Sequence, residues 1–184
     1  MSETSLGRTA LVLGGARSGK SRVALEMGRA TSGRRAFVAT CRVDLGDAEM
    51  AERVSAHRER RAASWETIEE PLDLGECVDA LSRTHDVIVA DCLTLWLSNL
   101  IEREEGDAGI ARRLDCLTAS IAASRARVIV VSNEVGMGIV PAAHLGRRFR
   151  DWQGLVNQAV AEAVNDVYIV TAGLARRLKP IGVS

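Results

Sequence analysis

The stretch LGGARSGKSR (residues 13–22) decides the fold of this chain. It follows the apolar run ALVL (10–13) and precedes the helix-forming segment SRVALEMGRA (21–30). A strand, a glycine-rich turn and a helix in this order, with the pattern G-x-x-x-x-G-K-[ST], are typical of the loop that cradles phosphates in nucleotide-binding proteins. The alternative is a chance glycine-rich turn, and eight matching positions in the right context argue against it.

We expect this loop to bind a nucleoside triphosphate. Glycines let backbone N–H groups turn toward phosphate oxygens, and the start of the following helix adds partial positive charge. Lys20, one of only two lysines, would reach the β- and γ-phosphates, and the Ser21 hydroxyl would bind Mg²⁺. The predicted nucleotide-binding residues here are Gly14, Gly15, Ala16, Arg17, Ser18, Gly19, Lys20 and Ser21.

A second Mg²⁺ ligand is expected at the end of a neighbouring strand. The segment DVIVADCLTLW (86–96) supplies Asp91 directly after an apolar run. Asp91 also precedes a helical pattern, so a role as helix N-cap is the alternative. Both roles are compatible, and we favour the metal role.

The rest of the chain alternates short strands with longer helices, which predicts an α/β fold around a mostly parallel sheet flanked by helices. A weaker strand is predicted at 64–70, and 102–109 reads as a loop. The main strands are expected at 9–13, 35–39, 86–91, 127–132 and 166–171. The helices are expected at 19–31, 47–61, 73–83, 92–104, 108–125 and 145–164.

Size and composition indicate one nucleotide-binding domain over residues 1–184, with 1–8 as a flexible N-terminal extension. Lys+Arg and Asp+Glu balance at 24 each, so no overall charge favours nucleic acid or an anionic membrane. The N-terminus lacks a signal peptide and no apolar run approaches a membrane span, so we expect a cytoplasmic protein. The four cysteines show no metal-ligand spacing and are expected to be small buried residues in a reducing compartment.

A histidine within a basic helix is the second candidate site. In DAEMAERVSAHRERR (47–61), Arg53, Arg60 and Arg61 fall on ridges next to His57 at helical spacing. Nearby positive charge lowers the pKa of an imidazole, so His57 would be uncharged and nucleophilic beside arginines that bind phosphate. The alternative is a solvated basic face with an incidental histidine.

Beyond these motifs, the chain resembles the bifunctional adenosylcobinamide kinase / adenosylcobinamide-phosphate guanylyltransferase family along residues 10–179. The segments that carry the resemblance include GGARSGKSR (14–22), SWETIEEPLDL (64–74) and DCLTLWLSNL (91–100). The most specific is NEVGMGIVP (133–141) followed by GRRFRDWQGLVNQ (146–158).

The resemblance implies a RecA-like P-loop fold, a homotrimer and two reactions at one site. ATP or GTP phosphorylates adenosylcobinamide, and GTP then transfers GMP through a histidine to adenosylcobinamide phosphate, releasing pyrophosphate. The guanylylated histidine of the family matches His57. Some relatives carry two adjacent histidines at this place, whereas this chain has Ala56 and His57, so His57 is the only candidate there. The implied further nucleotide contacts are Ala39, Thr40, Cys41, Arg58, Glu59, Arg60, Arg61, Glu69 and Asp91.

Two other functions remain open at this stage. One is a small-molecule P-loop kinase without nucleotidyl transfer, in which His57 is incidental. The other is a nucleotide-dependent switch, although SNEVG (132–136) lacks the guanine-specific N/T-K-x-D pattern. Asn133 and Glu134 follow a strand, and we expect their segment to shape the substrate cleft rather than form only a turn into Pro141.

Overall fold

The computed structural model describes residues 7–41 and 64–179. The predicted helix 47–61, with His57, Arg58, Glu59, Arg60 and Arg61, lies outside the described residues. The described strands are β1 (Thr9–Gly14), β2 (Arg35–Ala39), β3 (Trp65–Glu69), β4 (Val87–Asp91), β5 (Arg127–Asn133), β6 (Asp166–Thr171) and β7 (Leu174–Lys179). The described helices are α1 (Lys20–Arg29), α2 (Leu74–Leu81), α3 (Leu93–Glu102), α4 (Asp107–Ala123) and α5 (His144–Ala163).

The strands form one seven-stranded sheet in the order β3-β2-β4-β5-β1-β6-β7. All neighbouring pairs are parallel except β6 and β7, which are antiparallel. The predicted α/β class with a mostly parallel sheet is therefore confirmed. Parallel strands need crossover connections of a dozen or more residues. Within the described residues, helices lie in the connections from β1 to β2, β3 to β4, β4 to β5 and β5 to β6.

The two faces of the sheet are covered unequally by the described helices. Alternate residues of the central strands, such as Val128 and Val130, face a core built from α2, α3, α4 and α5. The intervening residues, such as Ile129 and Val131, face Val23 and other residues of α1. Burial on both faces explains why these strands read as continuous Val/Ile runs rather than as alternating patterns.

The hairpin β6–β7 was not predicted. Strand β7 (LARRLK) is largely exposed at the sheet edge, so it lacks the apolar run that marks the buried strands. Its turn is the pair Ala172 and Gly173, with φ of 51° and 81°. A two-residue turn with two positive φ angles suits a right-twisted hairpin, but alanine at its first position is not a usual signal.

Three sequence expectations need correction or restriction. Strand β4, which carries Asp91, does not neighbour β1, because β5 lies between them. All four cysteines are free thiols, but only Cys92 is buried, whereas Cys41, Cys77 and Cys116 are partly exposed. Within residues 7–41 and 64–179, no helix combines the length and the apolar character that crossing a membrane requires.

Candidate functional site

The glycine loop joins β1 to α1 and is closely packed at its first glycine. A Cβ atom at Gly14 would lie 2.5 Å from Ser18 Oγ and 2.7 Å from the Val170 carbonyl oxygen, so only glycine fits. Gly19 has φ of 95° and precedes the first residue of α1. This left-handed backbone favours glycine and turns the chain into the helix.

Lys20 is the first residue of α1, and its side chain returns over the loop. It is only 9% exposed, and its ammonium group donates to the Gly15 carbonyl oxygen at 3.1 Å. A Lys ammonium is a compact charge that binds phosphate as a point contact. The amide of Ser18 also donates to the Gly15 carbonyl oxygen, which closes the turn.

The unpredicted hairpin braces this loop. The Gly173 amide donates to the Ser18 carbonyl oxygen at 2.8 Å, and Arg22 Nη2 donates to the Gly173 carbonyl oxygen at 3.1 Å. A Cβ at Gly19 would lie 3.2 Å from Gly173 Cα, so the turn and the loop are in close contact. The hairpin therefore contributes to the shape of the phosphate loop from the far side of β6.

Four strands end on the same edge and the same face of the sheet as this loop. Because side chains alternate along a strand, the last residue follows the face of the residue two positions before it. Val89 lies in the core that α1 covers, and so do Phe37 and Val131. The residues two positions further along therefore lie on the α1 face, and these are Asp91, Ala39 and Asn133. Glu69, four positions after Trp65, lies on the same face.

The strand register orders these residues along the edge. The Cα register pairs Glu69 with Ala39, and Ala39 with Asp91, while Asn133 pairs with Gly14. The predicted contacts at Ala39, Glu69 and Asp91 thus lie on the same edge of the sheet as the glycine loop, with Asp91 two strands and Glu69 four strands from β1. Strand β5 lies between β4 and β1, so Asn133 at its end lies between Asp91 and the glycine loop.

Asp91 does not serve as the N-cap of α3, because that position is occupied by Cys92. Burial, followed by the nearby Asp91 carboxylate, raises the pKa of the Cys92 thiol to about 11, while Lys20 acts in the opposite direction. The charges of Asp91 and Lys20 therefore both reach Cys92. The N-cap alternative from the sequence is wrong for this helix.

Thr40 has its polar groups committed to the protein interior. It is fully buried, its hydroxyl donates to the Cys92 carbonyl oxygen at 2.7 Å, and the Cys92 amide donates to the same hydroxyl at 2.8 Å. The Asn99 side chain donates to the Thr40 carbonyl oxygen. Thr40 thus fixes the end of β4, and only the adjacent Ala39 and Cys41 are partly exposed.

A buried polar network holds the end of β5. Ser132 Oγ donates to Asn157 Oδ1 at 2.6 Å, and Gln153 Nε2 donates to both of these atoms at 3.0 Å. Asn157 Nδ2 donates to the Asn133 carbonyl oxygen. On its other side, the Asn133 amide donates to Thr94 Oγ1 at 3.0 Å. The Asn133 backbone is therefore fixed from α5 and from α3.

The Asn133 side chain has a different environment. Its Oδ1 atom is buried and has no hydrogen-bond partner among the described residues, and Ser18 Oγ in the loop shares this property. Buried polar atoms without a protein partner are uncommon in folded proteins, and such atoms are suited to bind a ligand or a water molecule. The sequence predicted that Asn133 helps to shape a substrate cleft. It did not predict the polar network from α5, because Gln153 and Asn157 are spaced like residues of any buried helix face.

The segment after Asn133 leaves the sheet over the loop. The Glu134 amide donates to the Gly14 carbonyl oxygen at 3.2 Å, and the Glu134 carboxylate accepts from the Gly136 amide. Further along, Met137 is 87% exposed and Ile139 is 97% exposed. The segment is thus anchored at the glycine loop and presents apolar side chains to its surroundings.

Two histidines, His85 and His144, lie among the described residues. His85 precedes β4, and its imidazole is 3.0 Å from both Thr84 Oγ1 and Glu66 Oε2. His144 begins α5 and is exposed.

Comparisons with known proteins agree with this geometry. The family model described as "Cobinamide kinase / cobinamide phosphate guanyltransferase" matches residues 10–178. The "Bifunctional adenosylcobalamin biosynthesis protein CobP" of Pseudomonas aeruginosa is 40% identical over 169 residues, covering 92% of this chain and 96% of the relative. The protein CobU of Escherichia coli, with the same descriptive name, is 38% identical over 181 residues, covering 92% and 98%.

A solved structure from Pyrococcus horikoshii OT3 shares the fold at only 10% identity. Its TM-score is 0.55, and the match covers 95% of this chain and 87% of that one. At this identity the likeness concerns the arrangement of strands and helices alone.

Proposed function

The chain belongs to the cobinamide kinase / cobinamide phosphate guanyltransferase family, and we propose that its glycine loop holds the nucleotide for both reactions of that family. The chain is accordingly an enzyme of adenosylcobalamin biosynthesis with a kinase and a guanylyltransferase activity. The observation that carries the shared-site proposal is the single edge of the sheet that gathers Lys20, Asp91 and Asn133 beside the loop.

In the kinase step, the residues of this edge bind and neutralise the triphosphate. The acceptor hydroxyl of adenosylcobinamide attacks the γ-phosphorus, the bond to the β–γ bridging oxygen breaks, and the hydroxyl proton is released. Positioning and charge neutralisation supply most of the rate in phosphoryl transfer. Lys20 contributes a buried positive charge, and the loop amides contribute donors.

The donor set also suits Mg²⁺. The Ser21 hydroxyl and the Asp91 carboxylate are hard oxygen ligands, the type that Mg²⁺ takes together with substrate phosphates and water. A bound Mg²⁺ would supply charge neutralisation on the phosphates. We assign its protein ligands to Ser21 and Asp91.

In the second step, we assign the nucleophile to His57, which lies outside the described residues. An imidazole nitrogen forms a bond to the α-phosphorus of GTP while the bond to the α–β bridging oxygen breaks, and pyrophosphate leaves with the electron pair. A phosphate oxygen of adenosylcobinamide phosphate then attacks the same phosphorus, and the P–N bond breaks to give adenosylcobinamide-GDP. Covalent catalysis of this kind divides one difficult transfer into two easier ones.

The remaining contacts serve the nucleotide in this proposal. Arg58, Glu59, Arg60 and Arg61 follow His57 in the sequence and bind the phosphates or the base. Ala39, Cys41 and Glu69 line the same edge of the sheet. Thr40 acts through the backbone around Cys92 rather than through a nucleotide contact.

Incubation with GTP labelled at the α-phosphate tests the assignment of His57. We expect an acid-labile GMP adduct on the wild-type protein and none on His57→Ala. His144→Ala is the matched control, because His144 is exposed and lies at the start of α5. An adduct that persists in His57→Ala would overturn the assignment. Kinase turnover without any adduct would instead leave a small-molecule kinase, and slow hydrolysis indifferent to adenosylcobinamide would indicate a nucleotide-dependent switch.

We also propose that the enzyme is a cytoplasmic homotrimer, as the family resemblance implies. Light scattering of the purified protein tests the assembly. A mass equal to three chains would support the trimer, and a mass of one or two chains across the working concentration range would reject it.

A further inference from the structure

A second cavity lies at the opposite edge of the sheet from the glycine loop. It has a volume of about 990 Å³ and is open to solvent at the amino ends of the central strands. The segment after α1 (Thr31 and Ser32) and the loop before β4 form its sides. Ligands of open α/β sheets gather at the carboxyl ends of strands, so this cavity is separate from the proposed nucleotide site.

The lining of this cavity is strongly basic. Two aspartates, Asp86 and Asp166, face five arginines, which are Arg8, Arg83, Arg125, Arg127 and Arg177. The side chains that line the cavity therefore carry a formal net charge of +3. The imidazole of His85 is engaged with Thr84 and Glu66 and adds no free donor to the cavity.

The two aspartates are already used within the protein. Asp166 pairs with Arg177 and accepts from the Gly7 amide at 2.6 Å. Asp86 accepts from the Arg34 amide at 2.8 Å. Asp166 is thus committed to Arg177 and Gly7, whereas Asp86 contacts a backbone amide and forms no ion pair with an arginine of the cavity.

Among the arginines, Arg83 pairs with Asp79 at 2.6 Å. Arg8, Arg125 and Arg127 make no side-chain hydrogen bond or ion pair with any residue in 7–41 or 64–179. Arg8 and Arg125 are exposed, so water can satisfy them. Arg127 is different, because it is partly buried at the start of β5.

The inference rests on the side chain of Arg127. Its Nε and Nη2 atoms are buried and have no hydrogen-bond partner among the described residues. A buried guanidinium donor without a partner costs free energy, and an oxyanion relieves that cost with charge-assisted, bidentate hydrogen bonds. Arg8 and Arg125, which line the same cavity, add two further cationic side chains for an anion with several oxygens.

We propose that this cavity is a second anion site, specific for a multivalent oxyanion of the phosphate class. The ligand is either inorganic pyrophosphate or the polyphosphate of a nucleotide, since the two share the chemistry that Arg8, Arg125 and Arg127 recognise. The proposal is independent of the assignment of His57. It predicts more than one phosphate-binding site per chain.

Equilibrium dialysis with pyrophosphate, and separately with ATP, tests this proposal. A Lys20→Ala background weakens the glycine loop and isolates the second site. We expect that protein to retain saturable binding of one anion per chain, which Arg127→Gln weakens by at least about tenfold, as expected for a charge-assisted contact. Binding of both ligands identifies a polyphosphate site, and binding of pyrophosphate alone identifies an inorganic anion site.

Two further variants distinguish a loss of anion binding from a loss of folded protein. Arg125→Gln removes an exposed charge from the cavity, so the fold should survive and anion binding should weaken. Arg103→Gln removes an exposed arginine elsewhere and should leave binding unchanged. The proposal is overturned if the Lys20→Ala protein binds neither ligand, or if its binding survives both Arg127→Gln and Arg125→Gln.

Discussion

Asn133 lies directly beside Gly14. The two are register partners at the ends of β5 and β1, and the amide of Glu134 donates to the Gly14 carbonyl oxygen at 3.2 Å. Strand β5 thereby places an amide side chain between the glycine loop and the strand of Asp91. A polar residue at this position can contact both the triphosphate and the groups that surround it.

The first prediction concerns this side chain. Asn133→Ala should lower kcat of the kinase step by about 10- to 100-fold, because one polar contact to the reacting groups is lost. The free energy of unfolding should change by less than about 1 kcal/mol, because Asn133 Oδ1 has no partner within the described structure. Steady-state kinetics and urea unfolding measure the two effects. Unchanged kinetics, or a loss of activity that follows a loss of folded protein, would contradict the assigned role.

The second prediction separates structure from binding at Thr40. Thr40→Val should lower the free energy of unfolding by about 1–3 kcal/mol, because the Cys92 amide and carbonyl lose a buried partner. Thr40→Ser retains the hydroxyl and should recover most of that loss. Urea unfolding of both variants provides the measurement, with the KM for GTP as the second readout. If Thr40→Val instead kept full stability and lost only GTP affinity, the hydroxyl would be a nucleotide contact.

The sequence predicted the parts of the fold whose signals are local. The motif at 14–21 and the buried strands have a chemistry or a composition that neighbouring residues reveal. The position of β5 between β1 and β4 could not be predicted from the sequence, because strand order depends on contacts between segments that are distant in the chain. Strand β7 was missed because an exposed, arginine-rich edge strand carries no apolar pattern.

The same distinction applies to the candidate site. Local sequence patterns predicted Lys20 and Asp91 as site residues, and in the structure both lie at the edge where the parallel strands end. The family resemblance implies a nucleotide contact at Thr40, and a motif position alone does not reveal that the Thr40 hydroxyl is bonded to the Cys92 backbone. The network of Ser132, Gln153 and Asn157 joins a strand to a helix 21 and 25 residues away, a pairing that only tertiary structure brings about.

The third prediction concerns Lys20. Lys20→Ala should lower kcat/KM of both reactions by more than about 100-fold, since a buried positive charge is lost from the phosphate site. Lys20→Arg should restore little, because the side chain is only 9% exposed and folds back onto the Gly15 carbonyl oxygen, where a planar guanidinium is larger. Arg103→Gln, which removes an exposed charge distant in sequence, is the control. Full activity of Lys20→Arg would show that charge alone suffices.

The fourth prediction follows from Cys77. Burial, followed by the nearby Glu70 carboxylate, raises the pKa of its thiol from 9.0 to about 11. At pH 8 its thiolate fraction should be about a hundredfold below that of a thiol at 9.0, so alkylation by iodoacetamide should be correspondingly slow. Residue-resolved mass spectrometry should show the rate at Cys77 rising until about pH 11.

The same shift has a consequence for stability. A pKa that is higher in the folded state means that folding retains the proton, so the contribution is complete below pH 9 and declines as the pH rises toward about 11. Cys92, whose pKa is also raised to about 11, acts in the same direction. The free energy of unfolding should therefore fall between pH 9 and pH 11, and the double variant Cys77→Ala, Cys92→Ala should show a weaker fall. A fall of equal slope in the double variant, together with alkylation of Cys77 that is already maximal at pH 9, would show that these thiols ionise as freely as exposed ones.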